Sequence, residues 1–149
     1  MQYPDDVIFP EPSSIGPRQW GKETLLCTAS GKWTLKLIEM KKGEKGGFQH
    51  HRLKDEGGMM LSGIMLVRHG YGELGAGGIR LYKEKIVGIG DVFHFPPGLD
   101  HQTEAITECS YVEVSTPHFN DRVHVEEEYG IADEAGGLPS TKTEEIEIR

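Results

Sequence analysis

Two short stretches of the chain concentrate side chains that bind metal ions. One begins at Gly43 and reads GEKGGFQHHRLKDEGGMMLSG; the other begins at Gly90 and reads GDVFHFPPGLDHQ. On a strand, alternate side chains share a face, so Gln49 and His51 point together while His50 points the opposite way. A turn through residues 52–55 then brings Glu56 back beside that pair, at the start of the next strand. The turn at Pro96 and Gly98 closes another strand and sets His101 at the head of the one that follows. Two imidazoles, a carboxylate and an amide oxygen, with positions left open to water or ligand, suit one divalent ion such as manganese, iron, nickel or zinc. The metal site is therefore read as Gln49, His51, Glu56 and His101. Gln49 is its weakest member, because an amide oxygen binds metals less strongly than imidazole or carboxylate; the alternative is a hydrogen-bonding role behind the ligands. A register slip of one residue would exchange His51 for His50.

The elements that position these residues read as strands. Twenty glycines and eight prolines punctuate short apolar runs, and no long segment keeps the three-to-four residue period of a buried helix. Strands are expected at 22–27, 33–40, 47–51, 59–68, 79–82, 91–95, 102–106 and 109–115. Paired glycines such as Gly57-Gly58 and Gly77-Gly78 provide for tight antiparallel hairpins. The expected fold is all-β, one barrel or sandwich over residues 18–131. Before it lies a Pro-rich arm, 1–17, that wraps the surface; after it comes a tail, 132–149, either disordered or ordered only against a partner chain. The acidic run Glu126-Glu127-Glu128 reads as a solvated face, and His69, His118 and His124 as surface residues.

Composition narrows the function. The chain has 149 residues, enough for one core without disulfides, and a net charge of -8 that argues against sequence-independent nucleic-acid binding. Cys27 and Cys109 form no CxxC pattern and read as reduced packing residues. The first residues carry acids and prolines where a signal peptide needs a basic start and an apolar run, and no stretch approaches membrane-spanning length. A cytoplasmic protein acting on a small molecule, with neither nucleic acid nor membrane as partner, is the expectation.

The two motif stretches resemble those of the cupin superfamily: a Gly-led HxH-plus-Glu segment and a Gly-led PxGxxH segment. Gln49 stands where the first His of the usual first motif would be. That run, Gln49 to Glu56 followed by an apolar strand ending in Ser62-Gly63, is similar to the cupin domain of type II phosphomannose isomerases. The likeness extends to Arg18-Gln19-Trp20-Gly21, to the strand after Trp33 with Lys36 at a matching basic position, and to the closing segment from Asn120 to Tyr129-Gly130. It departs at Gly58, where the family has an aromatic residue, and at His124, where it has a basic one. The resemblance implies a cupin-type antiparallel jelly roll binding one metal, commonly paired as a homodimer.

The same resemblance implies a metal-dependent isomerase or epimerase of a sugar or sugar phosphate. Enediol chemistry needs an electrophile, which the metal provides, and a proton carrier. Lys36 is expected in the barrel mouth, binding a phosphate or stabilising an oxyanion, with a solvent-facing Lys as the alternative. His94 serves as proton carrier if the even-numbered face of its strand is inward, and is otherwise a core or surface residue. Tyr111 and Glu113 can line the opposite wall. An iron-dependent dioxygenase and a non-catalytic sugar-binding or regulatory cupin are the competing functions.

Overall fold

The computed structural model describes residues 7–125 and 143–149. Thirteen strands occur among them: β1 (Ser13–Arg18), β2 (Gly21–Ala29), β3 (Trp33–Met40), β4 (Gln49–His51), β5 (Glu56–Ser62), β6 (Ile64–Leu74), β7 (Arg80–Gly88), β8 (Val92–Phe95), β9 (Asp100–Ala105), β10 (Cys109–Ser115), β11 (His118–Phe119), β12 (Arg122–His124) and β13 (Glu147–Ile148). There is no α-helix among these residues, so no helix is long and apolar enough to cross a membrane. The strands form a six-stranded sheet in the order β1-β2-β3-β10-β5-β8 and a five-stranded sheet in the order β12-β4-β9-β6-β7. Every pairing is antiparallel, and two such sheets face to face make a cupin-type jelly roll.

Period-two patterning explains which faces meet. On β3, Thr34, Lys36, Ile38 and Met40 are buried and the residues between them are not. On β10, Tyr111 lies opposite Ile38 and Glu113 opposite Lys36, so the two strands present one continuous inner face. Ile38, Met40, Met60, Met65, Val67, Phe95 and Tyr111 belong to the apolar core that fills one end of the sandwich. The other end is walled by polar groups. Removing the apolar side chains from water drives closure of the core end and leaves the polar end free to hold a ligand.

Several boundaries differ from the expected ones for local reasons. The run 59–68 is two strands, because the chain reverses at Gly63 with φ 74°; a Cβ there would lie 2.1 Å from the Glu108 carbonyl oxygen, so only glycine fits. The β6–β7 hairpin is far longer than 79–82 implied, reaching from Ile64 to Gly88. Part of the N-terminal arm is an edge strand, β1 pairing with β2 from Ser13 to Arg18. Residues 143–149 return to the barrel of their own chain, where β13 pairs with β11. The remaining tail expectations, together with the acidic run 126–128 and the Tyr129-Gly130 ending, fall outside the described residues.

Candidate metal centre

Strand parity places the first pair. Gln49 and His51 leave β4 on the inner face and line the polar cavity, of about 190 Å³, whereas His50 leaves on the outer face. There His50 Nδ1 lies 2.8 Å from Asp100 Oδ1, and the Tyr82 hydroxyl donates to the other Asp100 oxygen at 3.0 Å. His101 arrives on β9, whose one residue pair with β4 is Gln49 opposite His101. Glu56 opens β5 on the facing sheet and points inward like Met60 two pairs along.

His51, Glu56 and His101 are brought together and buried, with one ligand atom from each lying within 4.8 Å of the others. His51 Nε2 is 2.9 Å from Glu56 Oε1, and His101 Nε2 is 3.6 Å from Glu56 Oε2. Two donors about 2.1 Å from one ion at right angles are about 3 Å apart, so these separations match those around one metal. The outer nitrogens agree. His101 Nδ1 lies 2.9 Å from the Leu99 carbonyl oxygen, which only accepts, so Nδ1 carries the proton and Nε2 keeps its lone pair toward the cluster. Phe95 stacks on the His101 ring at 4.1 Å and 11°, fixing its plane. The donor set thus fits a divalent ion, and Gln49 lines the same cavity.

His51 is held by a residue the sequence did not single out. Asp121 Oδ1 lies 2.9 Å from His51 Nδ1, while Asp121 Oδ2 accepts from the backbone N–H groups of Leu53 and Lys54 at 2.9 and 2.7 Å. Asn120, with φ 58°, turns the chain so that Asp121 enters the interior; the Asn120 side chain stitches to Glu145 and Glu147. This carboxylate–histidine pair has the form of the support behind a metal ligand. Burial would raise Asp121, but the His51 and backbone hydrogen bonds hold it down at about 2.

Lys54 is the second residue that sequence reasoning missed, taken for part of a turn. It is buried, with Nζ 3.0 Å from Glu56 Oε1 and 4.0 Å from Glu113 Oε1. Burial opposes ionisation of Glu56, but the His51 hydrogen bond and the charges of Lys54 and His51 hold it well below the usual carboxylate range. Burial lowers His101. His51 also feels burial, yet its hydrogen bonds to Asp121 and Glu56 raise it. Across the cavity Glu113 is pushed up to about 7 by burial and by the Glu56 charge, with Lys54 and Lys36 opposing.

Lys36 faces inward and is buried, its Nζ 2.8 Å from Glu23 Oε1. Tyr111 and Glu113 line the cavity as expected of the far wall. His94 is corrected: the odd-numbered face of β8, with Phe93 and Phe95, is inward, so His94 lies on the outer surface, its side chain 64% exposed and paired with Asp55 at 2.6 Å. It cannot carry protons in the cavity. His124 is also corrected, since β12 pairs with β4 and puts His124 opposite Gln49, lining the cavity. At Gly58 a Cβ would lie 2.5 Å from the Phe93 ring and 2.7 Å from the Val112 carbonyl oxygen; an aromatic ring from β8 occupies the space beside that glycine.

No family model and no curated protein matches the chain. Solved structures do. KdgF from a Halomonas species superposes with a TM-score of 0.56 at 14% identity, over 70% of this chain and 87% of that one. An RmlC-like cupin from Shewanella frigidimarina gives 0.55 at 22% identity, over 74% and 86%. The fold is that of a cupin. A variant of oxalate decarboxylase from Bacillus subtilis gives 0.53 at 17%, and there the match covers 74% of this chain but 30% of the other. Identities this low establish the cupin fold and nothing about activity, and these likenesses do not single out the phosphomannose isomerases.

Proposed function

We propose that this cupin is a metal-dependent isomerase or epimerase of a sugar or sugar phosphate, with Gln49, His51, Glu56 and His101 holding the ion. The observation that carries the reading is the lining of the cavity: buried Lys36 and Lys54, with Glu113 and Tyr111 opposite, surround the ligand cluster. Charged and hydroxyl-bearing walls suit a polyhydroxy substrate. An oxygenase acting on an uncharged apolar molecule would call for apolar walls.

Moving hydrogen between adjacent carbons through an enediol requires a polarised carbonyl and a group that carries a proton. A divalent ion held here would supply the polarisation. Glu113, whose carboxyl is pushed up by burial, faces the cluster from the opposite wall and is the group suited to take a proton from one carbon and return it to the next. Lys54, 4.0 Å from Glu113, sets a positive charge where the developing enediolate oxygen gathers negative charge. Lys36 is held in place beside the cluster by its ion pair with Glu23. Gln49 would offer its amide oxygen to an ion held there, and Phe95 keeps the His101 ring from turning.

The test is a screen of hexoses and pentoses, free and phosphorylated, with manganese, zinc or nickel added and oxygen present or removed. Isomerisation or epimerisation indifferent to oxygen is expected. Turnover that consumes oxygen would replace this reading with a dioxygenase, and no turnover of any sugar would replace it with a binding role.

We also propose a homodimer. Supporting it, the outward face of the six-stranded sheet exposes Trp33, Met59, Leu61, Val92 and Val114, apolar side chains that a second copy could cover. Light scattering that returns the mass of one chain would refute it.

A further inference from the structure

The metal cavity continues into a larger one of about 510 Å³, walled in part by β1, β2, β3 and Arg149. The two share Arg18, Glu23, Lys36, His51, Lys54 and Arg122, so those residues mark the passage between them. Most cations along this route have carboxylate partners. Arg18 and Lys36 share Glu23, Lys54 has Glu56, and Arg149 has Glu147. Arg122 pairs with no carboxylate among the described residues. It lies opposite His51 in the β12–β4 register, so its side chain leaves the strand on the cavity side. It is also close enough to Lys54 for the guanidinium charge to oppose that ammonium.

The large cavity is therefore rich in positive charge: Arg18, Lys36, Lys54, Arg122 and Arg149 face it, against Glu23 and Asp121. Asp121 is already committed to His51 and to two backbone N–H groups. This excess occurs in a chain whose net charge is -8. Unlike the general surface, the passage gathers positive charge in one cleft, with Lys36 and Lys54 buried and Arg18, Arg122 and Arg149 open to solvent at its mouth, and clefts lined by one sign of charge draw in ions of the other. A guanidinium offers two parallel N–H donors that match phosphate or carboxylate oxygens.

We propose that the passage between the two cavities is an anion-binding subsite, centred on Arg122 with Arg18 and Lys54 beside it, which grips a phosphate or carboxylate group of the substrate. The substrate class is then an anionic sugar, its charged end at Arg122 and its reacting carbons toward His51, Glu56 and His101. The inference rests on the reading of the metal cavity as a substrate site. It also moves the anion-binding role from Lys36, which Glu23 already neutralises, to Arg122.

The experiment titrates inorganic phosphate and, separately, acetate into the full chain, followed by thermal shift and calorimetry, with metal bound and after chelation. Wild type binds at least one anion in both states, and Arg122→Gln weakens that binding about tenfold, the loss expected for one charge-assisted contact. Arg122→Lys falls between them. Lys85→Gln, which removes an exposed cation on β7, binds as wild type does. Circular dichroism and metal content unchanged in Arg122→Gln show that the fold and the cluster persist. Preference for phosphate assigns a phosphorylated sugar, and preference for acetate a sugar acid. Anion binding unaffected by Arg122→Gln, or absent from wild type, overturns the proposal. Its failure is separable from that of isomerisation: turnover of neutral and charged sugars alike, unchanged in Arg122→Gln, removes the subsite only. Arg122-dependent anion binding without turnover of any sugar removes the isomerase only.

Discussion

Asp121→Asn is the sharpest probe of how the cluster is held. The carboxylate meets three donors and no acceptor: His51 Nδ1 on one oxygen, and the N–H groups of Leu53 and Lys54 on the other. An amide has one oxygen and one NH₂, so it cannot serve both sides. With its oxygen toward the backbone, the NH₂ faces His51, which must then present a bare Nδ1 and carry its proton on Nε2. That tautomer points a hydrogen at Glu56 and removes the lone pair the metal needs. With the amide reversed, the backbone donors lose their acceptor at about 1–3 kcal/mol for a buried group. Metal binding must drive that reversal, and about 2 kcal/mol corresponds to roughly thirtyfold in affinity, inside the 10–100-fold range typical for loss of a ligand's supporting partner. Competition against a chelator, with manganese or zinc, reads the affinity; a urea midpoint reads the stability. The expected result is a metal-free fold less stable by about 2 kcal/mol near neutral pH and a metal affinity down by 10–100-fold. Asp121→Asn binding metal within twofold of wild type would refute the reasoning.

Acid should expose the same residue. Asp121 is held at about 2, against an ordinary 3.8, so its contribution is complete above the ordinary value and disappears as pH falls through about 2. Nearly two units correspond to about 2 kcal/mol, and chelated wild type should lose that much more than Asp121→Asn between pH 6 and pH 2 in urea titrations; equal losses would contradict it. Glu113→Gln should keep its metal and lower turnover by about 10²–10⁴-fold, the usual worth of a positioned acid–base group; metal analysis and kcat on the active sugar decide. Gly58→Ala should cost about 1–3 kcal/mol, since its Cβ meets the Phe93 ring and the Val112 carbonyl oxygen, and a thermal melt equal to wild type would show the barrel yields there at no cost.

Local patterning carried much of the fold. Alternation along β3 and β10 and the glycine-marked turns are short-range signals, and they led to an all-β jelly roll. Parity on β4 separated Gln49 and His51 from His50. Parity on β8 could not be read, because Val92-Phe93-His94-Phe95 has apolar residues on both faces; His94 consequently lies outside. The division of 59–68 at Gly63 was hidden because apolar residues flank a single glycine on both sides, and one glycine within a strand signals a bulge as readily as a reversal. Long-range pairing was hidden altogether. Asp121, Arg122 and His124 reach the cavity because β12 pairs with β4 some 70 positions earlier, as in the His51–Asp121 bond, and nothing local in Asn120-Asp121-Arg122 announces that. The alternating Arg122-Val123-His124 was the one available hint, since it puts two basic side chains on one face.

The central claim is that one divalent ion sits on His51, Glu56 and His101, with Gln49 completing the set. Metal content of the as-purified full chain, measured beside His51→Ala, Glu56→Gln and His101→Ala and joined to anomalous diffraction from wild-type crystals, tests it most directly. The account predicts about one ion per chain in wild type, an anomalous peak among the three side chains, and loss of stoichiometric metal in each variant. Stoichiometric metal retained in the histidine variants, or a peak elsewhere in the barrel, would contradict it.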